Sequence, residues 1–141
     1  MIINIHIPLV LGISTILIPR VDPKKTDVLI KKYHPNHILS IPSYWKAVVN
    51  SKKIKKLDFL KTAGAGGSGM TPELEKQLNE LFVKTSANIR FLNGYGMSEV
   101  GSTACTQLYE FGELGSVGMP IPKNVIAIFD TENKQEKKYN E

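Results

Sequence analysis

The sequence predicts an α/β fold, a parallel sheet with flanking helices, followed by the start of a β-rich subdomain. Three observations predict it. Short apolar, β-branched runs at 15–19, 37–41, 58–62 and 88–92 read as strands. Between them stand three helix openings, Asp22-Pro23, Pro42-Ser43 and Thr71-Pro72, where proline's fixed φ suits the first turn. Beyond Glu99 the helical spacing disappears, and β-rich runs at 102–108 and 125–130 are separated by glycine and proline. Strands that alternate with helices pair in parallel, because a crossover helix carries the chain back to where the next strand begins.

The opening stretch, 1–19, is strongly apolar. It lacks the basic leader and small-residue cleavage site of a secretion signal. Asn4, His6 and Pro8 interrupt it, and its length reaches only the lower limit for a membrane span. It reads as a buried element followed by the 15–19 strand. An apolar element that opens a chain without a cap also suggests a piece cut from a larger protein.

The first helix is expected from Asp22 to Tyr33, burying Val28, Leu29, Ile30 and Tyr33, with Pro35 to stop it. A second should run from Pro42 to Asn50 with Trp45, Val48 and Val49 on its apolar side. A third should follow Thr71-Pro72, since Leu74, Leu78, Leu81 and Phe82 fall on one helical face. The domain reading is a partial α/β nucleotide-binding subdomain over 1–108, the beginning of a β-rich subdomain over 109–130, and a polar tail over 131–141.

Composition narrows the class of function. With 42% hydrophobic and 22% charged residues the chain has the balance of a soluble globular domain. The net charge of +5 favours an anionic ligand weakly. Its lysines cluster at Lys24-Lys25, Lys31-Lys32 and Lys52-Lys53 with Lys55-Lys56, but no aromatics are interleaved with them, which argues against a nucleic-acid groove. A single cysteine, Cys105, excludes an internal disulfide and points to a reducing, cytoplasmic setting. His6, His34 and His37 lie far upstream of it without metal-site spacing, so Cys105 reads as a buried, inert thiol.

Chemistry concentrates in Asn93-Gly94-Tyr95-Gly96-Met97-Ser98-Glu99. Glycines on both sides of Tyr95 let a ligand approach the backbone. The Tyr95 ring offers a face for a heteroaromatic base. Ser98 can donate to a phosphate oxygen, and Glu99 is a hard oxygen ligand of the kind Mg²⁺ takes beside substrate phosphates. The same residues could equally make a surface turn after a strand. A second glycine-rich loop, 64–69, follows the third expected strand. If the third and fourth strands are neighbours, both loops meet at the carboxyl end of the sheet, where such folds bind ligands.

Gly64, Gly66 and Gly69 also match the spaced-glycine fingerprint of dinucleotide-binding folds. That fingerprint wants an acidic residue at the end of the next strand, where Asn93 stands. Thr71-Pro72 further places the helix start after the last glycine, away from a pyrophosphate. A dinucleotide module and a non-catalytic α/β domain remain alternatives on the residues alone.

Four motifs in order resemble the adenylate-forming enzymes, the family of acyl- and aryl-CoA ligases, luciferases and peptide-synthetase adenylation domains. Tyr95-Gly96-Met97-Ser98-Glu99 resembles their Tyr-Gly-x-Thr-Glu signature. Gly66-Gly67-Ser68-Gly69-Met70 with Pro72-Glu73-Leu74 resembles their Gly-Gly-Ala-Pro-Leu loop. Gly115-Ser116-Val117-Gly118-Met119-Pro120 is similar to their Gly-Ser-Val-Gly-x-Pro segment. Pro8-Leu9 with Gly12, Leu17-Ile18-Pro19 and Asp22-Pro23 fit their middle region.

The resemblance implies an internal fragment of the large N-terminal domain of an ATP-dependent acyl-CoA synthetase, with fatty acid metabolism as its setting. Such an enzyme activates a carboxylic acid as acyl-adenylate and passes it to coenzyme A. Gly66, Gly67 and Ser68 would line adenine and ribose, and Gly94 and Tyr95 would flank the adenine ring. Asn93, Gly96 and Met97 belong to the same nucleotide loop. Ser98 would contact the α-phosphate, Glu99 would hold Mg²⁺, and these two are the catalytic candidates. Met97 stands where amino-acid adenylation domains commonly have proline, which favours an acyl- or aryl-CoA ligase.

Ser98 replaces the usual threonine and keeps the hydroxyl, while Ser68-Gly69 replaces Ala-Pro and loosens the loop. The family's phosphate loop, its Thr-Gly-Asp segment and its catalytic lysine are not found, so the fragment is expected to be inactive alone. Surface that missing neighbours would cover favours self-association.

Overall fold

The computed structural model describes residues 2–138. Met1 of the apolar opening and the last three residues of the polar tail lie outside the described residues. Among the described residues no helix is long and apolar enough to cross a membrane.

The chain opens with a π-helical turn, Ile2–His6, and a short helix α1, Ile7–Val10. Asp22 caps a 3-10 turn at Pro23–Lys25, its Oδ1 accepting from the Lys24 amide at 3.0 Å, and α2 follows over Thr26–Tyr33. His34 ends α2 in the left-handed region, φ 44°, just before Pro35. Then come β1 (His37–Ser40), α3 (Pro42–Asn50), β2 (Thr62–Ala65), α4 (Pro72–Lys84) and β3 (Phe91–Met97). A 3-10 turn, Ser98–Val100, leads to β4 (Ser102–Thr106), and β5 is the short Met119–Pro120.

The five strands form one sheet in the order β1-β2-β3-β4-β5. β1, β2 and β3 are parallel, with Ser40 beside Ala65 and Ala65 beside Asn93. β4 and β5 continue the sheet antiparallel. The parallel half is the expected one. The change of direction at β3 follows from the connections: a tight turn joins β3 to β4, whereas helices join the strands before it.

The core lies between the parallel strands and the helices, with α3 packed between α2 and α4. Trp45 of α3, Phe82 of α4 and Phe91 of β3 are each at most 1% exposed. Trp45 meets both phenylalanines edge-on, centroids 6.1 and 5.3 Å away. Burying each of these rings contributes on the order of 2 kcal/mol or more. The Trp45 indole donates to the Gly64 carbonyl at 2.9 Å, so its polar edge is satisfied and α3 is tied to β2. Leu78 and Phe82 are buried on α4 with Leu74 and Leu81 beside them, as the spacing requires. On α2 only Ile30 of the expected apolar set is fully buried; Val28 and Tyr33 are exposed.

Several expected strands differ. Residues 15–19 pair with no strand among the described residues, and Ile16 and Leu17 are 49% and 66% exposed. The strand expected at 58–62 begins only at Thr62, because 57–60 close a turn, the Leu60 amide donating to the Leu57 carbonyl at 2.9 Å. At 125–130 the ladder is reduced to one bridge, Phe129 to Glu136, and Val125 is 95% exposed.

Candidate functional site

The signature is itself a strand. Asn93, Gly94, Tyr95, Gly96 and Met97 all lie within β3, where a turn was expected. Gly96 is needed there by close approach: its ladder with β4 shifts register between Tyr95 and Gly96, and a Cβ on Gly96 would lie 1.8 Å from the Ser102 carbonyl oxygen. The turn comes only afterwards, at Ser98–Val100, and Gly101 closes it with φ +79°.

The two glycine stretches converge. β2 and β3 are neighbours, so the chain leaving Ala65 runs beside Gly94. A Cβ on Gly66 would stand 3.3 Å from the Gly94 carbonyl oxygen, and Gly67 turns away with φ +82°. A cleft of about 310 Å³ opens between them, walled by Gly67 and Ser68 on one side and by Asn93, Gly94, Tyr95 and Gly96 on the other. Tyr95 lines the cleft and is 43% exposed. An adjoining cleft of about 420 Å³ shares the β3 glycines, takes in Gly66, and adds apolar surface from Leu39, Ile41 and Leu92.

The remaining candidates stand apart. Met97, Ser98 and Glu99 are exposed and line neither cleft. They continue along β3 and its 3-10 turn, just past Gly96. Among the described residues no group of three His, Cys, Asp or Glu side chains converges as a metal cage. Cys105 is buried and free, as expected.

A third wall was not foreseen. Gly115 and Val117 close the first cleft, although their segment was noted only as a motif. Asn93 holds it: the side-chain amide donates to the Ser116 carbonyl at 3.0 Å, while Oδ1 accepts from the Gly94 amide at 3.0 Å. Asn93 is 3% exposed, so it shapes the wall. Behind it lie Gln107 and Glu75, both buried. The available signal was Glu75 itself, a charged residue set in the apolar stripe of Leu74, Leu78 and Phe82.

The fingerprint of spaced glycines does not form its tight turn. Gly64 lies inside β2, where a Cβ would meet the Leu92 carbonyl oxygen at 2.8 Å and Leu39 Cδ2 at 2.9 Å. Strand packing accounts for that glycine.

A long-chain-fatty-acid–CoA ligase of Bacillus subtilis is 26% identical over 125 residues, 86% of this chain and 21% of the relative. A 2-succinylbenzoate–CoA ligase of Escherichia coli is 31% identical over 97 residues, 68% of this chain and 19% of the relative. The chain thus spans about a fifth of the length of these curated relatives. The fold is also that of ATP-bound MatB from Rhodopseudomonas palustris, with a TM-score of 0.78 at 20% identity over 96% of this chain and 26% of that one. The sequence profile of one family, described as AMP-binding enzyme, matches residues 1–141, and the chain belongs to that family.

Proposed function

We propose that this chain is part of an ATP-dependent acid–thiol ligase and carries much of its nucleotide site. The observation that carries the reading is the cleft in which Ser68 and Tyr95 face a common space between closely approaching glycine backbones. An adenine ring lies against Tyr95, with Gly94 and Asn93 beside it and Gly66, Gly67 and Ser68 toward the ribose. Gly96 lets the nucleotide pass close to β3, and Met97 carries the strand to its turn. Ser98 donates to the α-phosphate.

The adjoining cleft, with its apolar Leu39, Ile41 and Leu92 surface, receives the carboxylic acid. Its oxygen attacks the α-phosphorus. A new P–O bond forms, the bond to the bridging oxygen breaks, and pyrophosphate leaves with that electron pair. The thiolate of coenzyme A then attacks the acyl carbonyl and AMP departs.

The donor set fits Mg²⁺. That ion takes one or two carboxylates beside substrate phosphates, and Glu99 offers one exposed carboxylate next to Ser98. Bound there, the metal would neutralise charge on the phosphates. The reading includes a cytoplasmic enzyme acting on small molecules, fatty acids among the candidate substrates. It also includes a β-rich subdomain beginning after 108, a fragment inactive alone, and self-association through uncovered surface.

The test is equilibrium binding of ATP to the chain, against Tyr95→Ala and Tyr95→Phe. Base-on-aromatic stacking is worth about 1–3 kcal/mol, so the alanine variant should bind roughly ten-fold more weakly and phenylalanine nearly normally. Equal affinity in all three would remove the reading. Saturable NADH binding that Gly66→Val abolishes would favour a dinucleotide module instead.

A further inference from the structure

Glu75 is fully buried in the first turn of α4, 0% exposed. Neither ion pair among the described residues involves it. Its carboxylate is satisfied by two N–H donors. Oε2 accepts from the Gly115 amide at 2.8 Å, and Oε1 accepts from the Gln107 side chain at 3.2 Å. Gln107, 1% exposed, donates also to the Glu113 carbonyl at 2.9 Å, and its own Oε1 accepts from the Asn93 amide at 2.8 Å. One carboxylate therefore reaches two walls of the cleft, Gly115 directly and Asn93 through Gln107.

The arrangement is directional. A carboxylate can only accept, so it forces the Gln107 amide to point its NH₂ toward Glu75 and its oxygen toward Asn93. Were Gln107 reversed, its NH₂ would face the Asn93 amide and its oxygen the Glu113 carbonyl, and every bond would fail. The 113–118 wall is thus set from behind, by groups that touch no ligand. Gly115 takes φ +80°, and a Cβ there would meet Pro72 Cγ at 2.7 Å, so this wall also leans on the first residue of α4.

We propose that Glu75 and Gln107 are positioning residues, which fix the 113–118 wall against Asn93 and Tyr95 and thereby set affinity for the nucleotide. The proposal rests on the nucleotide reading of the cleft. It makes α4, the helix that follows the 66–69 loop, the common mount of two cleft walls.

Glu75→Gln keeps the shape and supplies one donor where only acceptors fit. Its NH₂ must face either the Gly115 amide or the Gln107 NH₂, so a buried bond is lost. Three measurements on the full chain decide: the folded fraction by circular dichroism, amide hydrogen exchange at Gly115, and the Kd for ATP. We expect an unchanged folded fraction at 25 °C, faster exchange at Gly115, and roughly ten-fold weaker ATP binding, the scale of one unsatisfied buried group. Glu75→Asp, which retains acceptors on a shorter stem, should recover part of the affinity.

Faster Gly115 exchange with unchanged Kd overturns the proposal and leaves the nucleotide site standing. No ATP binding by the unmutated chain overturns the site reading and this proposal with it. Should Glu75→Gln fail to fold, the unmutated chain still decides. Saturating ATP should slow exchange at Gly115 and Asn93, and no change at either would sink the idea.

Discussion

Gly66 and Gly94 face each other so closely that a Cβ on Gly66 would stand 3.3 Å from the Gly94 carbonyl oxygen. This contact joins the end of β2 to the middle of β3 and puts Ser68 and Tyr95 on one cleft. Gly66→Val should therefore act on the cleft more than on the fold. Gly66 is half-buried and not in a left-handed conformation, so the strand end can shift at a cost of about 1–3 kcal/mol. The displaced loop should weaken ATP binding by more than the loss in the urea midpoint would suggest. Unchanged affinity would mean that the rim is not used.

The glycines of the site should differ sharply in tolerance. Gly96→Ala puts a Cβ 1.8 Å from the Ser102 carbonyl oxygen, and backbone cannot yield as a flexible side chain can. It should cost about 1–3 kcal/mol or more and split β4 from β3. Gly69 has no neighbour within 4 Å of a built Cβ and no positive φ. Gly69→Ala should instead stabilise the chain by about 0.4–1 kcal/mol, through the unfolded state. Chemical denaturation of both variants checks the contrast, and equal costs would contradict it.

The same glycines show what was legible in the sequence. Helices α3 and α4 were, because Pro42, Thr71-Pro72 and the Leu74, Leu78, Phe82 spacing are local signals. The signature Asn93-Gly94-Tyr95-Gly96 was legible as a site but not as a strand. Gly94 and Gly96 read locally as turn formers, whereas their reason is the backbone of β4 beside them, which only folding reveals. Gly64 was misplaced into a loop for the same reason, its neighbours being Leu39 and Leu92. The run at 15–19 has strand propensity, but a strand also needs a partner edge. Glu75 was passed over because a single charge on a helix face usually meets solvent.

Trp45→Phe should separate packing from hydrogen bonding in the core. Phenylalanine keeps most of the edge-on contact with Phe82 and Phe91 but cannot donate to the Gly64 carbonyl. Losing one such hydrogen bond costs about 0.5–1.5 kcal/mol net. Trp45→Ala should cost about 3–5 kcal/mol by adding a cavity. Equal urea midpoints for Trp45→Phe and the unmutated chain would show that the Gly64 bond contributes nothing.

The joint between α2 and α3 should be acid-sensitive. The Ser51 hydroxyl donates to Asp27 Oδ2 at 2.7 Å and holds the carboxyl below its ordinary value, burial opposes this, and the Val28 amide and Lys53 add to the lowering. A lowered folded value means stability that is fully present above the unfolded pKa of about 3.9 and is lost as pH falls through the folded value. Ser51→Ala should thus destabilise at neutral pH, and the gap to the unmutated chain should narrow as pH falls below about 4. Urea midpoints across that range test the sign. A gap that widened in acid would mean that the bond favours the protonated carboxyl.

Glu99 should reveal itself only when metal is present. It is exposed on the 3-10 turn after β3, clear of both cleft linings, so its replacement by glutamine should leave fold and metal-free ATP binding alone. In the unmutated chain Mg²⁺ should tighten ATP binding, because Glu99 would supply a carboxylate to hold such an ion, whose charge would offset that of the phosphates. Glu99→Gln keeps the shape and removes the charge, so most of that gain should vanish. Titrations in EDTA and in excess Mg²⁺ read the difference directly. If Mg²⁺ helps both forms equally, the ion is held by the nucleotide and water alone, and Ser98 becomes the only group on this turn with a role in the chemistry.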